Sequence, residues 1–570
     1  MSETEQIIRK HALANAAQFG GKASMGAVIG KVIAEKPELK VDMNALKQAV
    51  TKIISEVNAL DLETQKKELE KTGWQKIEKE QREGLPPLPN ADTCVVMRMA
   101  PNPNGPLHIG HARMVILNDE YAKMYRGKLF LRFDDTDPKN PNKVPMKAAY
   151  KWIENDLKWL GVKYGKVFSA SSRLPIYYKY FEKNLEAGNA YVCTCEQEAW
   201  SRMVRNERKP CPCKDLDAEE NLKRWRNMLK HKLKEGQAVG RIKTDMDKIK
   251  DPAVIDWVAF RIVDKPQHPF SGKPRKKVWP MLDFASAIDD REFGITHIVR
   301  GKDLAISEAR QRILYEYMGW KYPVAKIYGK IMTTEEMVVS KSKIAEGIKS
   351  GKFSGYDDPQ LATLSAFRKR GILPEAIRNY MVGIGMNESE TTVDLEILYA
   401  ENRKLIDKTS DRYFFVAEPV EIELDKVPAK VVKAPLYPGG KKFRRIPATK
   451  KIFVEKADFD ADKGKEARLM HFCNIILDKK AKVTGSELKD ARKAKLSGMP
   501  KTKEVFVHVP KLHWVPKGAI KTKLVMPDGK IISGLAEPAA AKIKPNQIVQ
   551  FERVGFARCD KKGLFYFAHK

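Results

Sequence analysis

Residues 101–111 read Pro101-Asn-Pro-Asn-Gly-Pro-Leu-His108-Ile-Gly110-His111, and this stretch decides the fold. The apolar run Cys94-Val-Val-Met97 before it predicts a buried strand. Pro, Asn and Gly then break the chain into a tight loop. Behind the loop, Ala112-Arg-Met-Val-Ile-Leu-Asn-Asp-Glu-Tyr-Ala-Lys-Met124 spaces its apolar residues as a helix does. The order is strand, loop, helix, and His108 and His111 stand where the helix begins. A helix N-terminus offers unpaired backbone N–H groups and a partial positive charge, which suits phosphate. Imidazoles there donate hydrogen bonds to a phosphate, and Gly110 lets a nucleotide approach the backbone. An isolated His-x-x-His is more often a pair of surface histidines capping a helix. Here strand, loop and glycine all point to phosphate.

Working outward, strand-like and helical runs alternate from about residue 91 to 345. Strands are expected over 94–99, 128–133 and 295–300, and helices over 144–160 and 177–187. Alternation of this kind implies an α/β domain with a mostly parallel sheet and helices on both faces. Such sheets bind ligands outside the carboxyl ends of their strands. Arg98, Asp134 and Arg300 each fall at or near such an end.

Before 85 the chain reads as a helical appendage, with the segment 60–83 dense in Lys, Glu and Gln; Gly84-Leu-Pro-Pro-Leu-Pro-Asn90 is a linker. A docking role toward RNA or protein, or simple packing, are all open for it. Residues 346–410 read as a helical connector. From 411 to 570 short β-rich runs recur between Pro-Gly and Asp-Gly turns, including 414–416, 451–454, 504–509, 523–526, 548–551 and 564–569. That pattern predicts antiparallel barrels.

A chain of 570 residues suits about three to five domains. No apolar stretch reaches the roughly 18 residues of a membrane helix, and the N-terminus lacks a secretory pattern, so a cytoplasmic protein is expected. Lys and Arg number 105 against 73 Asp and Glu, a formal charge of +32. Residues 401–570 hold 38 basic and 20 acidic side chains, so under a third of the chain carries over half of the excess. This asymmetry favours a polyanionic partner. The runs Lys441-Lys-Phe-Arg-Arg445 and Arg492-Lys-Ala-Lys495, with Trp514 and Phe565 near them, are candidates for RNA contact, or form a solvated basic face.

The seven cysteines are odd in number, and Cys193, Cys195, Cys211 and Cys213 cluster, with 15 residues between the two pairs. This argues for reduced thiols rather than a secreted disulfide framework. Four thiolates complete a tetrahedral zinc site and leave no open position, so a structural Zn²⁺ is expected. The Cys-x-Cys spacing is less common than Cys-x-x-Cys; reduced structural cysteines are the alternative.

His108-Ile-Gly-His111 resembles the HIGH motif of class I aminoacyl-tRNA synthetases. The wider stretch from Arg98 to Phe133-Asp-Asp-Thr-Asp-Pro138 closely resembles glutamyl-tRNA synthetases of the archaeal type, and the similarity runs from about residue 90 to the end. The resemblance implies a Rossmann-type catalytic domain over 91–345, with an acceptor-end-binding insertion at about 190–290. It also implies a connector over 346–410 and an anticodon-binding β-barrel region over 411–570. Val338-Val-Ser340-Lys341-Ser342-Lys343, about 230 residues after the histidines, resembles the KMSKS loop that holds the triphosphate of ATP. Its first Lys and Met are replaced by Val338 and Val339. By the same likeness, Arg98 and Arg300 contact glutamate, Asp134 receives the α-amino group, and Asn102 and Ser286 line the pocket. An Arg fork pairs bidentately with a carboxylate. Leu282 stands where bacterial relatives carry a pocket tyrosine.

The implied activity is ATP- and Mg²⁺-dependent attachment of L-glutamate to tRNA(Glu), with class I transfer to the 2′-hydroxyl of the terminal adenosine. Archaeal relatives often charge tRNA(Gln) with glutamate as well. The competing functions are a glutaminyl-tRNA synthetase and a non-catalytic tRNA-binding scaffold. Asp137, where the glutamine enzymes typically carry Asn, favours glutamate. Intact His108, His111, Lys341 and Asp134 oppose the scaffold.

Overall fold

The structure, a computed structural model, describes all residues except 1, 19, 73, 75–83, 271–275, 333–337, 339–340, 438–439 and 487–508. The chain divides into two compact units, Met1–Glu83 and Gly84–Lys570. The first unit contains the helices Glu3–Gln18, Met25–Glu35, Met43–Asn58 and Leu62–Lys71. Ile8, Leu13, Val28, Val32, Val50 and Val57 form its core. Asp42 and Asp61 start the last two helices by accepting backbone N–H bonds from the first turn. Residues 73 and 75–83 of the expected helical run lie outside the described ones.

In the second unit, strands Val96–Met99, Lys128–Phe133 and Val167–Ser169 lie parallel in that order. His297–Gly301 and Val324–Tyr328 form a second parallel pair. Thr296 stitches the two pieces together. Its N–H donates to the Val96 carbonyl, and its hydroxyl accepts from the Val96 N–H, each at 2.9 Å. Read across, the first three strands run in reverse chain order and the last two in chain order. This is a doubly wound sheet, and the reversal lies between Val96–Met99 and His297–Gly301, where such folds take their ligands. The strands read as near-continuous apolar runs because helices cover both faces. Arg98, Arg132, His297 and Arg300, all buried in these strands, are the exceptions.

An antiparallel sheet of Ala190–Cys193, Val239–Ile242, Val258–Ile262 and Val278–Pro280 interrupts this domain. It packs its own aromatic cluster of Phe181, Trp225, Phe260 and Phe284. Helices Leu364–Arg370, Pro374–Ile384 and Leu395–Ile406 follow the sheet.

The C-terminal region holds two seven-stranded sheets. In one, the two edge strands are Asp411–Tyr413 and Phe415–Ala417, separated in the chain by Phe414 alone. In the other they are Lys511–Leu512 and Trp514–Pro516, separated by His513. One short stretch of chain thus supplies both edges of each sheet. Each sheet curls into a near-closed barrel, which protects strand edges from pairing with other chains. The strand expected over 504–509 falls largely on residues outside the described ones. Among the described residues, no helix is long and apolar enough to cross a membrane.

Candidate active site

The loop before the histidine motif is tied at several points. Pro101 and Pro103 carbonyls accept from the N–H groups of Asp134 (3.0 Å) and Met146 (2.8 Å). The Leu107 N–H donates to Asp156 Oδ2 at 3.0 Å. Burial pushes that carboxyl up to about 7, against the Leu107 hydrogen bond and Arg368. Helix Ile109–Met124 then begins, with His108 as its N-cap.

The helix start differs from the sequence expectation in one respect: its backbone N–H groups already have partners. Ile109 N–H donates to Ala362 O, and His111 N–H to His108 O. Gly110 N–H donates to His108 Nδ1 at 3.1 Å, and His108 N–H to His111 Nδ1 at 3.3 Å. Both Nδ1 atoms are therefore acceptors, which places the proton of each neutral ring on Nε2. The two rings lie 3.7 Å apart between centroids. The backbone N–H groups at this helix start are therefore already committed within the protein. Gly110 has a local reason as well. A Cβ there would stand 3.0 Å from His108 Cε1, so the glycine makes room for the imidazole.

The segment after residue 360 links this motif to the second one. His108 bridges Thr363, and on the same segment Leu361 bridges Val338. Two strand spacings, each about 4.8 Å, thus separate the backbones of the two motifs. Val338 packs with Ile344, Phe353, Leu361 and Ala366, an apolar setting that suits valine at the position of the missing lysine. Lys341 opens helix Lys341–Lys349, and Ser342 sits exposed in its first turn. Val339 and Ser340 lie outside the described residues.

Helix Leu282–Glu292 organises the opposite wall. Ser286, Asp289 and Asp290, three and four residues apart, share one face. Asp290 takes a bidentate pair from Arg98, Nε to Oδ1 at 2.9 Å and Nη2 to Oδ2 at 3.1 Å. Asp289 accepts from Arg132 Nε at 2.7 Å, Arg173 Nε at 2.6 Å and the Tyr177 hydroxyl at 2.6 Å. Arg132 Nη1 reaches on to Asp134 Oδ1 at 3.2 Å. Burial raises the Asp134 carboxyl, and Arg132 works against that rise.

Ser286 is linked to Arg300 through Gln311, whose amide Nε2 donates to Ser286 Oγ at 2.7 Å. Gln311 Oε1 accepts from Arg300 Nη1 (3.0 Å) and from the Tyr322 hydroxyl (2.7 Å). Arg300 Nη2 donates to that hydroxyl at 2.6 Å. A tyrosine hydroxyl therefore reaches Arg300 from Tyr322, while Leu282 has none to offer. The hydrogen-bond partners of Arg300 are neutral; the nearest carboxylate, Glu308, stands at 3.6 Å. Among the described residues, Arg300 Nε, Arg132 Nη2 and Asn102 Oδ1 are buried without a hydrogen-bond partner.

Asp137, read above as a sign of glutamate, serves the turn that follows it. It accepts from Lys139 and Asn140 N–H groups and pairs with Arg261 at 2.5 Å. Asp289, Asp290, Arg132, Gln311 and Tyr322 were missed in the sequence. The available signal was Asp289-Asp290 on a helix face that the apolar spacing assigns to the core.

The four cysteines converge. Sγ separations are 3.6 Å for Cys193–Cys211, 3.6 Å for Cys195–Cys211 and 3.9 Å for Cys195–Cys213. All four Sγ atoms lie within 4.8 Å of one another. A tetrahedron with Zn–S bonds of about 2.3 Å has S···S edges of about 3.8 Å, so the donor set fits zinc. A second group, Glu455, Asp458 and His513, is also close. Arg553 already donates to Asp458 and reaches His513 Nδ1 at 3.1 Å, so positive charge is present there.

Comparison with known proteins matches three family models in succession. Residues 94–408 match the catalytic domain of the class I tRNA synthetases (E and Q). Residues 410–497 and 511–560 match two anti-codon binding domains of the same family. The glutamate–tRNA ligase of Pyrococcus abyssi is 45% identical, over 100% of both chains. That of Archaeoglobus fulgidus is 44% identical, over 98% of both. A crystal structure of a glutamate tRNA ligase from Elizabethkingia meningosepticum, in complex with its amino acid, aligns with TM-score 0.41 and 23% identity, over 55% of this chain and 71% of that one. The chain belongs to the class I tRNA synthetases of the E and Q family.

Proposed function

We propose that the chain is an ATP-dependent glutamate–tRNA ligase acting in the cytoplasm on tRNA(Glu). The observation that carries this is end-to-end likeness, at 40–45% identity, to relatives with that name. The pocket chemistry agrees. Arg300 is buried, its hydrogen bonds go to neutral groups and its one ion pair, with Glu308, is long at 3.6 Å, so an incoming side-chain carboxylate pairs with it better than a neutral amide does. Arg98, fixed by Asp290, supplies a second guanidinium, and Asp134 an acceptor for the α-ammonium. Asn102 and Ser286 complete the lining.

The glutamate α-carboxylate attacks the α-phosphate of ATP, which enters with Mg²⁺ as a substrate. A carboxylate–phosphate anhydride forms and pyrophosphate leaves. His108, His111 and Lys341, with Ser340 and Ser342 beside it, stabilise charge on the phosphates; no side-chain nucleophile is required. The terminal ribose hydroxyl of tRNA then attacks the carbonyl, and AMP departs. Aminoacylation of purified tRNA(Glu) and tRNA(Gln) with each amino acid tests this. Glutamyl-tRNA(Glu) is the expected product; tRNA-dependent pyrophosphate exchange with glutamine alone overturns it.

Cys193, Cys195, Cys211 and Cys213 are proposed to hold a structural zinc, which would cross-link the strand Ala190–Cys193 to the segment carrying Cys211 and Cys213. Purified protein is expected to contain about one zinc per chain. Cys195→Ser should lower that content and the melting temperature. Metal analysis finding no zinc, in protein never exposed to chelator, refutes the site.

A further inference from the structure

Arg98 and Arg300 differ in how their charge is met. The bidentate pair with Asp290 compensates Arg98 directly. Among the described residues, the carboxylate paired with Arg300 is Glu308, at 3.6 Å, and Glu308 is itself committed to Arg312 at 2.7 Å. The short bonds of Arg300 end on neutral groups, Gln311 Oε1 at 3.0 Å and the Tyr322 hydroxyl at 2.6 Å. A buried guanidinium with so little counter-charge is costly unless a ligand supplies the rest.

Gln311 stands on the helix Ala305–Tyr317 and is 1% exposed. Its carboxamide admits one orientation. Nε2 lies 3.2 Å from the main-chain carbonyl of Asp283, which can only accept, so the nitrogen must face it. The Ser286 hydroxyl gives its hydrogen to the Leu282 carbonyl at 2.7 Å, so it too accepts from Gln311. Oε1 is thereby turned to Arg300. Tyr322 keeps the same order: its oxygen accepts from Arg300 Nη2, and its hydrogen goes to Gln311 Oε1 at 2.7 Å. Donors on one side and a twofold acceptor on the other are what a primary amide supplies. A carboxylate at 311 would meet the Asp283 carbonyl with no hydrogen to offer, and it would neutralise Arg300. An apolar side chain would leave Arg300 Nη1 without its acceptor. Glutamine alone of the three holds the guanidinium and leaves its charge in place.

We propose that Gln311 is a specificity-determining residue for the amino acid. Its carboxamide fixes Arg300 without neutralising it, so the charge is kept for the side-chain carboxylate of glutamate, and the amide of glutamine leaves it unmet. Gln311 acts through Arg300 and is a positioning residue. The inference rests on glutamate being the substrate.

The test is attachment of labelled glutamate to a tRNA(Glu) transcript by the full chain, with unlabelled glutamine as competitor. It reads KM for glutamate and Ki for glutamine. Gln311→Glu is expected to raise KM for glutamate about 10–100-fold, the size of a lost hydrogen bond to a charged group, and to leave Ki for glutamine within about threefold of wild type. Gln311→Met is neutral and of similar length but lacks the oxygen, so both constants should rise together by less than about tenfold, with their ratio kept. Should Gln311→Glu fail to fold, Glu308→Gln decides. It removes the carboxylate nearest Arg300 from a half-buried position, and should raise Ki for glutamine relative to KM for glutamate a few-fold. A wild-type ratio in Gln311→Glu overturns the proposal, as does an equal loss of the ratio in Gln311→Met. For Glu308→Gln, an unchanged or smaller ratio does so. A wild-type protein that attaches no glutamate strikes the ligase reading instead, before any variant is compared.

Discussion

Asp289→Ala is expected to destabilise the Gly84–Lys570 unit by about 3–5 kcal/mol, the usual cost of removing one partner from a buried ion pair. Asp289 is 1% exposed and anchors Arg132, Arg173 and Tyr177 at 2.6–2.7 Å. Without it, Arg132, itself 0% exposed, keeps only the Asp134 contact at 3.2 Å. Asp134 would then serve as its counter-charge and be withdrawn from any substrate ammonium. Loss of glutamate binding should therefore accompany loss of stability. Asp289→Asn keeps an acceptor oxygen but not the charge, and should fall between. Urea unfolding is the measurement. A midpoint for Asp289→Ala equal to wild type would mean that this carboxylate does not hold Arg132.

The same cluster marks the limit of what the sequence made legible. Periodicity and loop chemistry are local, and they found the strand–loop–helix around His108. They also anticipated the strands Lys128–Phe133, Ile548–Phe551 and Leu564–His569 at their observed bounds. Arg98, Asp134 and Arg300 could be placed near strand ends because strand ends are local too. Their partners could not. Asp289 lies 157 residues from Arg132, and Asp290 lies 192 from Arg98, so the pairing exists only after the sheet forms. The expectation for Arg98 and Arg300 thus gains a condition. Each is held by protein groups, and substrate must use the donors left over.

Trp514 and Phe565 illustrate a second limit. Along a strand, side chains alternate between the two faces, and a one-residue change in register exchanges them. Composition alone cannot say which face is wet. The observed register turns these aromatics inward and leaves Phe443 outside. Closure of each barrel across Phe414 or His513 was equally hidden, since it depends on which strand becomes an edge.

The histidine pair allows the largest expected effect on rate. His111→Ala is expected to lower kcat for tRNA-dependent pyrophosphate exchange about 10²–10³-fold, the cost of one preorganised donor to transition-state charge. KM for glutamate should change only a few-fold, because the proposed seat of the amino acid is at Arg98, Arg300 and Asp134, away from this ring. The geometry explains why the ring matters more than the helix end. The N–H groups of Ile109, Gly110 and His111 are already bonded, and His108 and His111 each accept at Nδ1, leaving the donor hydrogen on Nε2. His111→Asn, whose amide donates from a shorter stem, should recover part of the rate. Loss of the reciprocal cap should cost about 1 kcal/mol of stability, too little to account for the rate. The two rings lie 3.7 Å apart and are proposed to act on one triphosphate, so the double variant His108→Ala with His111→Ala should lose less than the product of the single losses. A loss under about threefold in His111→Ala would remove the imidazole from the phosphate site and leave its cap on the helix as its only role.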